Sequence, residues 1–160
     1  MLTNLFLAAC IASAPTPLSV EFRPEIFFSG VTHGQGTLYL RGRSPRRFVV
    51  QSKGEMLQSQ LFRLEQTVTF ANGGAESRTF YLRRLDRQRY SAKLSDAPGP
   101  VAAEVRGNSL HLRYLLRRPA IYMEQWLYLQ PDGKTVVNTG KVKLLGVELA
   151  HISETIVCAS

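Results

Sequence analysis

The chain has 160 residues, of which 44% are apolar and 20% charged, and its formal net charge is +8. This length suits one domain with a single core, and the composition excludes a chain that is disordered beyond its ends. Arginine outnumbers lysine by fifteen to five. Such a charge favours anionic partners such as phosphates or anionic lipids, although it is also typical of a solvated surface with arginine-rich hairpin ends.

The first fourteen residues, MLTNLFLAACIASA, are apolar or small and carry no charge. The Leu-Ala-Ala before Cys10 matches a lipobox, in which the cysteine is acylated and becomes the new N-terminus. Cleavage after Ala14, which would release a soluble periplasmic protein, and a structural first helix are the alternatives. We predict a leader and linker over residues 1–17, lipidation at Cys10, and a membrane-anchored lipoprotein of a bacterial envelope that faces the periplasm.

Beyond the linker, a helical turn is predicted from Pro24 to Gly30, because proline suits the first turn of a helix. Short apolar or alternating segments follow, separated by clusters of Gly, Pro, Asn and Asp. They predict strands at 35–41, 45–53, 57–70, 76–84, 88–95, 100–106, 109–118, 121–130, 134–140 and 147–157.

The clearest alternation lies on either side of Asn72-Gly73-Gly74, a hairpin signal. Phe62, Leu64, Val68 and Phe70 fall on one face, and Gln66 shares their spacing. Arg78 and Phe80, on the next strand, are predicted to lie on the same face of the sheet, provided that Gly74 adds a bulge residue to the turn. The segment from Ile121 to Leu129 is apolar on both faces, as central strands often are.

Nine or ten consecutive strands with short turns predict an up-and-down meander, whose two edges would be exposed unless the sheet closed. The predicted fold is therefore all-β: an antiparallel, lipocalin-like barrel of about 9–10 strands with a short N-terminal helical segment, formed as one domain by residues 18–160. A β-sandwich is the alternative.

The sequence contains no nucleotide-binding, hydrolase or zinc-protease motif. His33, His111 and His151 lie in separate segments, and Cys10 and Cys158 stand at opposite ends of the chain without zinc-ligand spacing. No RNA-binding motif accompanies the arginines. We therefore predict no catalytic residue, no metal, no cofactor and no nucleic-acid partner, and a monomer that is not an enzyme.

Six short segments occur in the order found in one protein family: Ile26–Gly30 (IFFSG), Arg46–Val50 (RRFVV), Arg78–Phe80 (RTF), Gly107–Leu110 (GNSL), Gln125–Leu129 (QWLYL) and Asn138–Gly146 (NTGKVKLLG). Over residues 24–157 the chain resembles the proteobacterial envelope lipoproteins with a domain of unknown function, number thirty-eight thirty-three. The resemblance implies an exported or lipidated lipocalin-like barrel with no established activity. Glu124 and Gln125 stand where that family usually has two aspartates, which weakens any shared acid–base mechanism.

The leading functional hypothesis is a non-enzymatic protein whose barrel holds a small apolar or amphipathic ligand, such as a lipid. A structural or interaction lipoprotein, with a basic face docked on an anionic membrane or a protein partner, is the alternative. The candidate ligand-lining residues are Phe48, Phe62, Gln66, Phe70, Arg78, Phe80, Tyr114, Glu124 and Trp126.

Overall fold

A computed structural model of the chain describes residues 20–159. The predicted leader and linker, including Cys10, lie outside the described residues. The described part begins with one helical turn, α1 (Pro24–Phe27), which has proline at its first position as predicted. Ten strands follow: β1 (Gly30–Leu40), β2 (Arg46–Gln58), β3 (Leu61–Phe70), β4 (Ala75–Arg84), β5 (Arg89–Leu94), β6 (Pro100–Arg106), β7 (Ser109–Arg117), β8 (Ile121–Leu129), β9 (Thr135–Leu144) and β10 (Val147–Cys158).

Each strand pairs antiparallel with the next one along the chain, and β1 pairs with β10. The sheet therefore closes into a barrel, which leaves no unpaired edge for contact with another sheet. The prediction of an all-β, up-and-down barrel with a short helical segment is confirmed.

The two ends of the barrel differ. The plugged end, as we call it, holds residues 22–28, the start of β1, the end of β10 and the turns β2–β3, β4–β5, β6–β7 and β8–β9. The far end consists of the other five turns, at residues 41–45, 71–74, 95–99, 118–120 and 145–146. Phe22, Phe27 and Phe28 pack into the main core at the plugged end and contact one another edge-on or tilted.

The interior contains two apolar clusters. The larger one runs from the plug through the inward faces of β3 to β10. The smaller one, Phe48, Val50 and Val68 with Leu38, Phe70 and Ile152 against it, lies between β10, β1, β2 and β3 toward the far end. Polar side chains, described below, also face the lumen.

Four strand boundaries differ from the prediction by four or five residues: the start of β1, the end of β2, the start of β3 and the end of β9. The structure starts β1 at Gly30 and continues β2 through Gly54 to Gln58. A Cβ on Gly54 would lie 2.0 Å from the carbonyl oxygen of Phe28 and 2.5 Å from the ring of Phe62. Glycine stands here because the plug approaches the strand, and not because the strand ends.

The hairpin at Asn72-Gly73-Gly74 has the predicted register. The backbone N–H of Phe70 donates to the carbonyl of Gly74 at 2.8 Å, and Gly73 adopts a positive φ of 92°. Gln66 then lies opposite Arg78, and Leu64 opposite Phe80. All four side chains consequently face the lumen.

Candidate ligand-binding lumen

A small cavity of about 40 Å³ lies inside the barrel. Most of its wall is apolar, and Pro24 and Phe28 of the plug form part of it. Five polar side chains interrupt this wall: Gln66, Arg78, Gln125, Asn138 and Glu154. An apolar cavity with a few convergent polar groups is the usual form of a small-molecule site.

Arg78 brings a guanidinium group into this lumen. Its Nε donates to Gln66 Oε1 at 3.1 Å, and Gln66 Nε2 in turn donates to Ser52 Oγ at 3.1 Å. This chain fixes the orientation of the Gln66 amide across β2, β3 and β4. Among residues 20–159, no carboxylate lies within 4.0 Å of the guanidinium nitrogens.

Glu154 is the buried carboxyl group of the lumen, with 7% of its surface exposed. Its Oε2 accepts a hydrogen bond from Asn138 Nδ2 at 2.8 Å. Burial raises the pKa of Glu154, although the Asn138 hydrogen bond and the Arg78 charge act in the opposite direction. The other oxygen, Oε1, would lie 2.2 Å from a Cβ on Gly34, so the glycine of β1 makes room for this carboxyl group.

Several polar atoms of the interior have no hydrogen-bond partner within the described chain. They include Tyr114 Oη, Asn138 Oδ1 and Thr32 Oγ1. Burial raises the pKa of the Tyr114 hydroxyl, and the Arg78 charge opposes that shift. Unpaired buried polar groups are costly, and these atoms are available to bind water or a ligand.

The prediction that Glu124 and Trp126 line the interior is wrong. On β8 the buried positions are Met123, Gln125, Leu127 and Leu129, so Glu124 and Trp126 lie on the outer wall. Glu124 Oε1 lies 2.9 Å from His111 Nε2, and its Oε2 accepts from Lys143 Nζ at 3.1 Å. Trp126 stacks on the His111 ring.

The other candidate residues face inward but do not all reach the cavity. Phe62, Gln66, Arg78 and Phe80 border it. Tyr114 is buried in the main cluster, while Phe48 and Phe70 belong to the cluster near the far end. Sequence reasoning missed Gln125, Asn138 and Glu154. The alternation of β10 could have identified Glu154, because Ala150, Ile152 and Ile156 are apolar and lie on the same face of the strand.

The described residues contain no cluster of three potential metal ligands. No helix between residues 20 and 159 is both long and apolar enough to cross a bilayer.

The closed antiparallel barrel and its small, mostly apolar lumen define a lipocalin-like barrel protein. The chain belongs to a family described as "Protein of unknown function (DUF3833)", whose model matches residues 5–157. No curated protein matches the chain.

Solved structures share the fold at low sequence identity. The S-type phycobiliprotein lyase CPES from Guillardia theta superposes with a TM-score of 0.67 at 8% identity, over 85% of this chain and 90% of that one. Rv2717c from M. tuberculosis superposes with a TM-score of 0.61 at 13% identity, over 86% of this chain and 99% of that one. A protein of unknown function from the DUF3598 family of Nostoc punctiforme PCC 73102 gives 0.58 at 15% identity, over 91% of this chain and 53% of that one. At these identities the likeness concerns the fold alone.

Proposed function

We propose that the barrel lumen binds a small amphipathic molecule through an anionic head group, with a fatty acid as the model ligand. One observation carries the proposal: the Arg78 guanidinium faces the cavity and has no carboxylate partner among residues 20–159. Arg78 is half-buried, and an unpaired charge that is partly removed from water reduces stability. An anionic ligand would remove that cost, because a carboxylate accepts two parallel hydrogen bonds from an arginine.

The neighbouring groups suit the same head group. The Tyr114 hydroxyl, which lacks a partner, is a second donor for a carboxylate. Glu154, whose pKa burial raises, is biased toward its neutral form and repels an anion less than an ordinary glutamate would. The leucine and phenylalanine side chains of the cavity wall suit an acyl chain. This arrangement supports binding rather than catalysis.

The closed lumen is too small for such a ligand. A cavity of about 40 Å³ holds roughly three water molecules, whereas small-molecule sites measure about 300–1,000 Å³. Pro24 and Phe28 are part of the cavity wall, so displacement of residues 22–28 would enlarge the cavity directly. The proposed binding form is therefore one in which the plug has moved away.

We also propose that the protein is a proteobacterial envelope lipoprotein, acylated at Cys10 and facing the periplasm. The lipobox pattern around Cys10 and the resemblance to envelope lipoproteins support this location. A protein so located meets fatty acids and lipid fragments released from membranes, which fits the ligand class.

Replacing Arg78 with methionine tests the binding proposal, because methionine removes the charge and retains an unbranched side chain. At a decanoate concentration about 100 times its Kd, binding adds about 2.7 kcal/mol of stability. For a chain of this length that is roughly 5–10 °C in Tm. We expect the parent protein to show this rise and the Arg78→Met variant to show little or none.

Arg83→Met is the matched control, since Arg83 lies on the same strand but is exposed on the outer face. It should respond to decanoate as the parent does. A parent protein that shows no shift, or an Arg78→Met variant that shifts as the parent does, would overturn the proposal.

A further inference from the structure

Four arginines at the far end of the barrel have no ion-pair partner within the described chain. Arg41 and Arg43 belong to the β1–β2 turn, and Arg117 and Arg118 lie at the β7–β8 turn; all four are exposed. No described carboxylate oxygen lies within 4.0 Å of their nitrogens. We call these four residues the basic rim.

The β9–β10 turn, Leu145-Gly146, lies between these two turns. Arg41 N donates to the carbonyl of Leu149 at 3.1 Å on one side, and Ile121 pairs with Leu144 on the other. Leu145 is 83% exposed, the highest value among the large apolar side chains of the described chain. A fully exposed leucine thus stands at the tip of a turn, with unpaired arginines on both sides.

The backbone of this turn makes leucine an unexpected choice. Leu145 has φ of 48° and Gly146 has φ of 85°, so both residues are in the left-handed region. Two-residue hairpins of this kind favour Asn-Gly or Asp-Gly, because asparagine tolerates a positive φ better than leucine does. Folding alone would therefore favour asparagine, and residues held in such conformations concentrate at functional sites.

We propose that the far end docks on an anionic lipid bilayer, with Leu145 inserted among the acyl chains and the basic rim against the phosphates. Arginines next to an anionic leaflet gain electrostatic attraction, and a large apolar side chain between them gains from burial in the hydrocarbon. A nucleic acid or a soluble anion would satisfy the arginines but leave Leu145 in water. This proposal does not depend on ligand binding in the lumen.

Two tyrosines support the same orientation. Tyr39 lies two residues before the β1–β2 turn, and Tyr122 is the second residue of β8, so both lie close to the basic rim. Each is more than a third exposed. Tyrosine is enriched at the level of lipid head groups, where its ring is half buried and its hydroxyl is hydrated.

The plugged end is the competing surface, since Leu85 and Ile26 are also exposed there. Most of its arginines are paired, however: Arg23 and Arg84 lie near Glu25, and Arg89 pairs with Asp86 at 2.6 Å, whereas Arg83 and Arg87 have no ion-pair partner among residues 20–159. Those ion pairs reduce the attraction to an anionic leaflet, so the far end is the better docking surface.

Vesicle co-sedimentation tests the proposal. The full chain carries Cys10→Ser so that no acyl group contributes, and the vesicles contain phosphatidylcholine with or without phosphatidylglycerol. We expect binding only with phosphatidylglycerol, and weaker binding as salt rises. Neutralising the basic rim (R41Q, R43Q, R117Q, R118Q) should weaken binding about fivefold per arginine, or about 600-fold in total.

Leu145→Asn should weaken binding about tenfold, through lost apolar burial, while its Tm stays equal to that of the parent or rises. The matched controls are Arg83→Gln with Arg87→Gln for charge and Leu85→Asn for the apolar side chain, all at the plugged end. They should bind as the parent does. Loss of binding in these controls instead of the rim variants, or a parent that does not bind anionic vesicles, would overturn the proposal.

Discussion

Glu154 shows how one residue of the lumen is placed by its neighbours. The carboxyl group fits between β1 and β9 because Gly34 leaves space beside it and Asn138 donates to it. Gly36 and Asn138 pair with Glu154 on its two sides, and Gly34 is the next inward-facing residue of β1 after Gly36. Desolvation then favours the protonated form of the acid.

We predict that Glu154→Gln stabilises the protein increasingly as pH rises. A carboxyl group whose pKa is raised on folding favours the folded state below its ordinary value of 4.5, and that advantage is lost as pH rises through the folded-state value. Glutamine keeps an acceptor for Asn138 and has no charge to bury. Thermal melts from pH 4 to 8 should therefore show a Tm difference that grows in favour of the variant.

Glu148→Gln provides the comparison on the same strand. The hydrogen bond from Lys141 lowers the pKa of Glu148, and Glu148 is only half-buried. The Tm difference between Glu148→Gln and the parent should therefore stay constant with pH, or change in the parent's favour as pH rises. A Glu154→Gln effect that is equal at pH 4 and pH 8 would show that the carboxyl group is not destabilised by burial.

The plug and β2 fit together through Gly54. We predict that Gly54→Ala displaces the plug, because its new Cβ would lie 2.0 Å from the backbone oxygen of Phe28. Overpacking of this kind costs about 1–3 kcal/mol, so Tm should fall. If the plug gates the lumen, decanoate should also bind the variant more tightly, because less of its binding energy goes into opening.

Gly99→Ala is the control, since a Cβ there meets no atom within 4 Å. Its stability should change by less than about 0.5 kcal/mol. Calorimetric titration with decanoate and thermal melts measure both effects. Unchanged stability of Gly54→Ala would contradict the tight contact between plug and strand.

The strands could be predicted because most of them alternate strictly and end at Gly, Pro, Asn or Asp. The same reasoning placed Gln66, Arg78 and Phe80 on one face, since Phe62, Leu64 and Val68 define the parity of β3. It failed on β8, where Ile121, Met123 and Leu127 alternate with Tyr122, Trp126 and Tyr128. Because both faces of β8 are apolar, its composition does not show which face points into the barrel. Pairing with β7 and β9 places Gln125 on the inward face.

The polar side chains of the lumen that β9 and β10 supply were harder to predict for another reason. Asn138 and Glu154 acquire their roles from pairing between β9 and β10 and from the space that Gly34 leaves on β1. Gly34 and Gly36 of β1 allow close contacts with Glu154 and Phe48 in the barrel, which no local pattern reveals.

For the intact protein, the proposed location at a membrane depends on Cys10. We predict that Cys10→Ser moves the protein from the membrane fraction to the soluble fraction of its host when the cells are lysed at high salt, which screens the attraction of the basic rim. Mass spectrometry of the parent should show an acylated N-terminal cysteine. Equal partition of the two forms, or an unmodified Cys10, would contradict the lipoprotein assignment.

A barrel with an even number of strands returns the chain to the end at which it entered, so residues 20 and 159 both lie at the plugged end. A lipid anchor at Cys10 would then be attached at the plugged end, opposite the Leu145 turn at the far end. Residues 11–19 reach about 30 Å when fully extended, which is comparable to the length of an eleven-residue strand such as β1. If Cys10 carries the proposed anchor, two geometries are open to the protein: folded back along its tether onto one leaflet, or upright as a spacer that holds two facing membranes one barrel length apart.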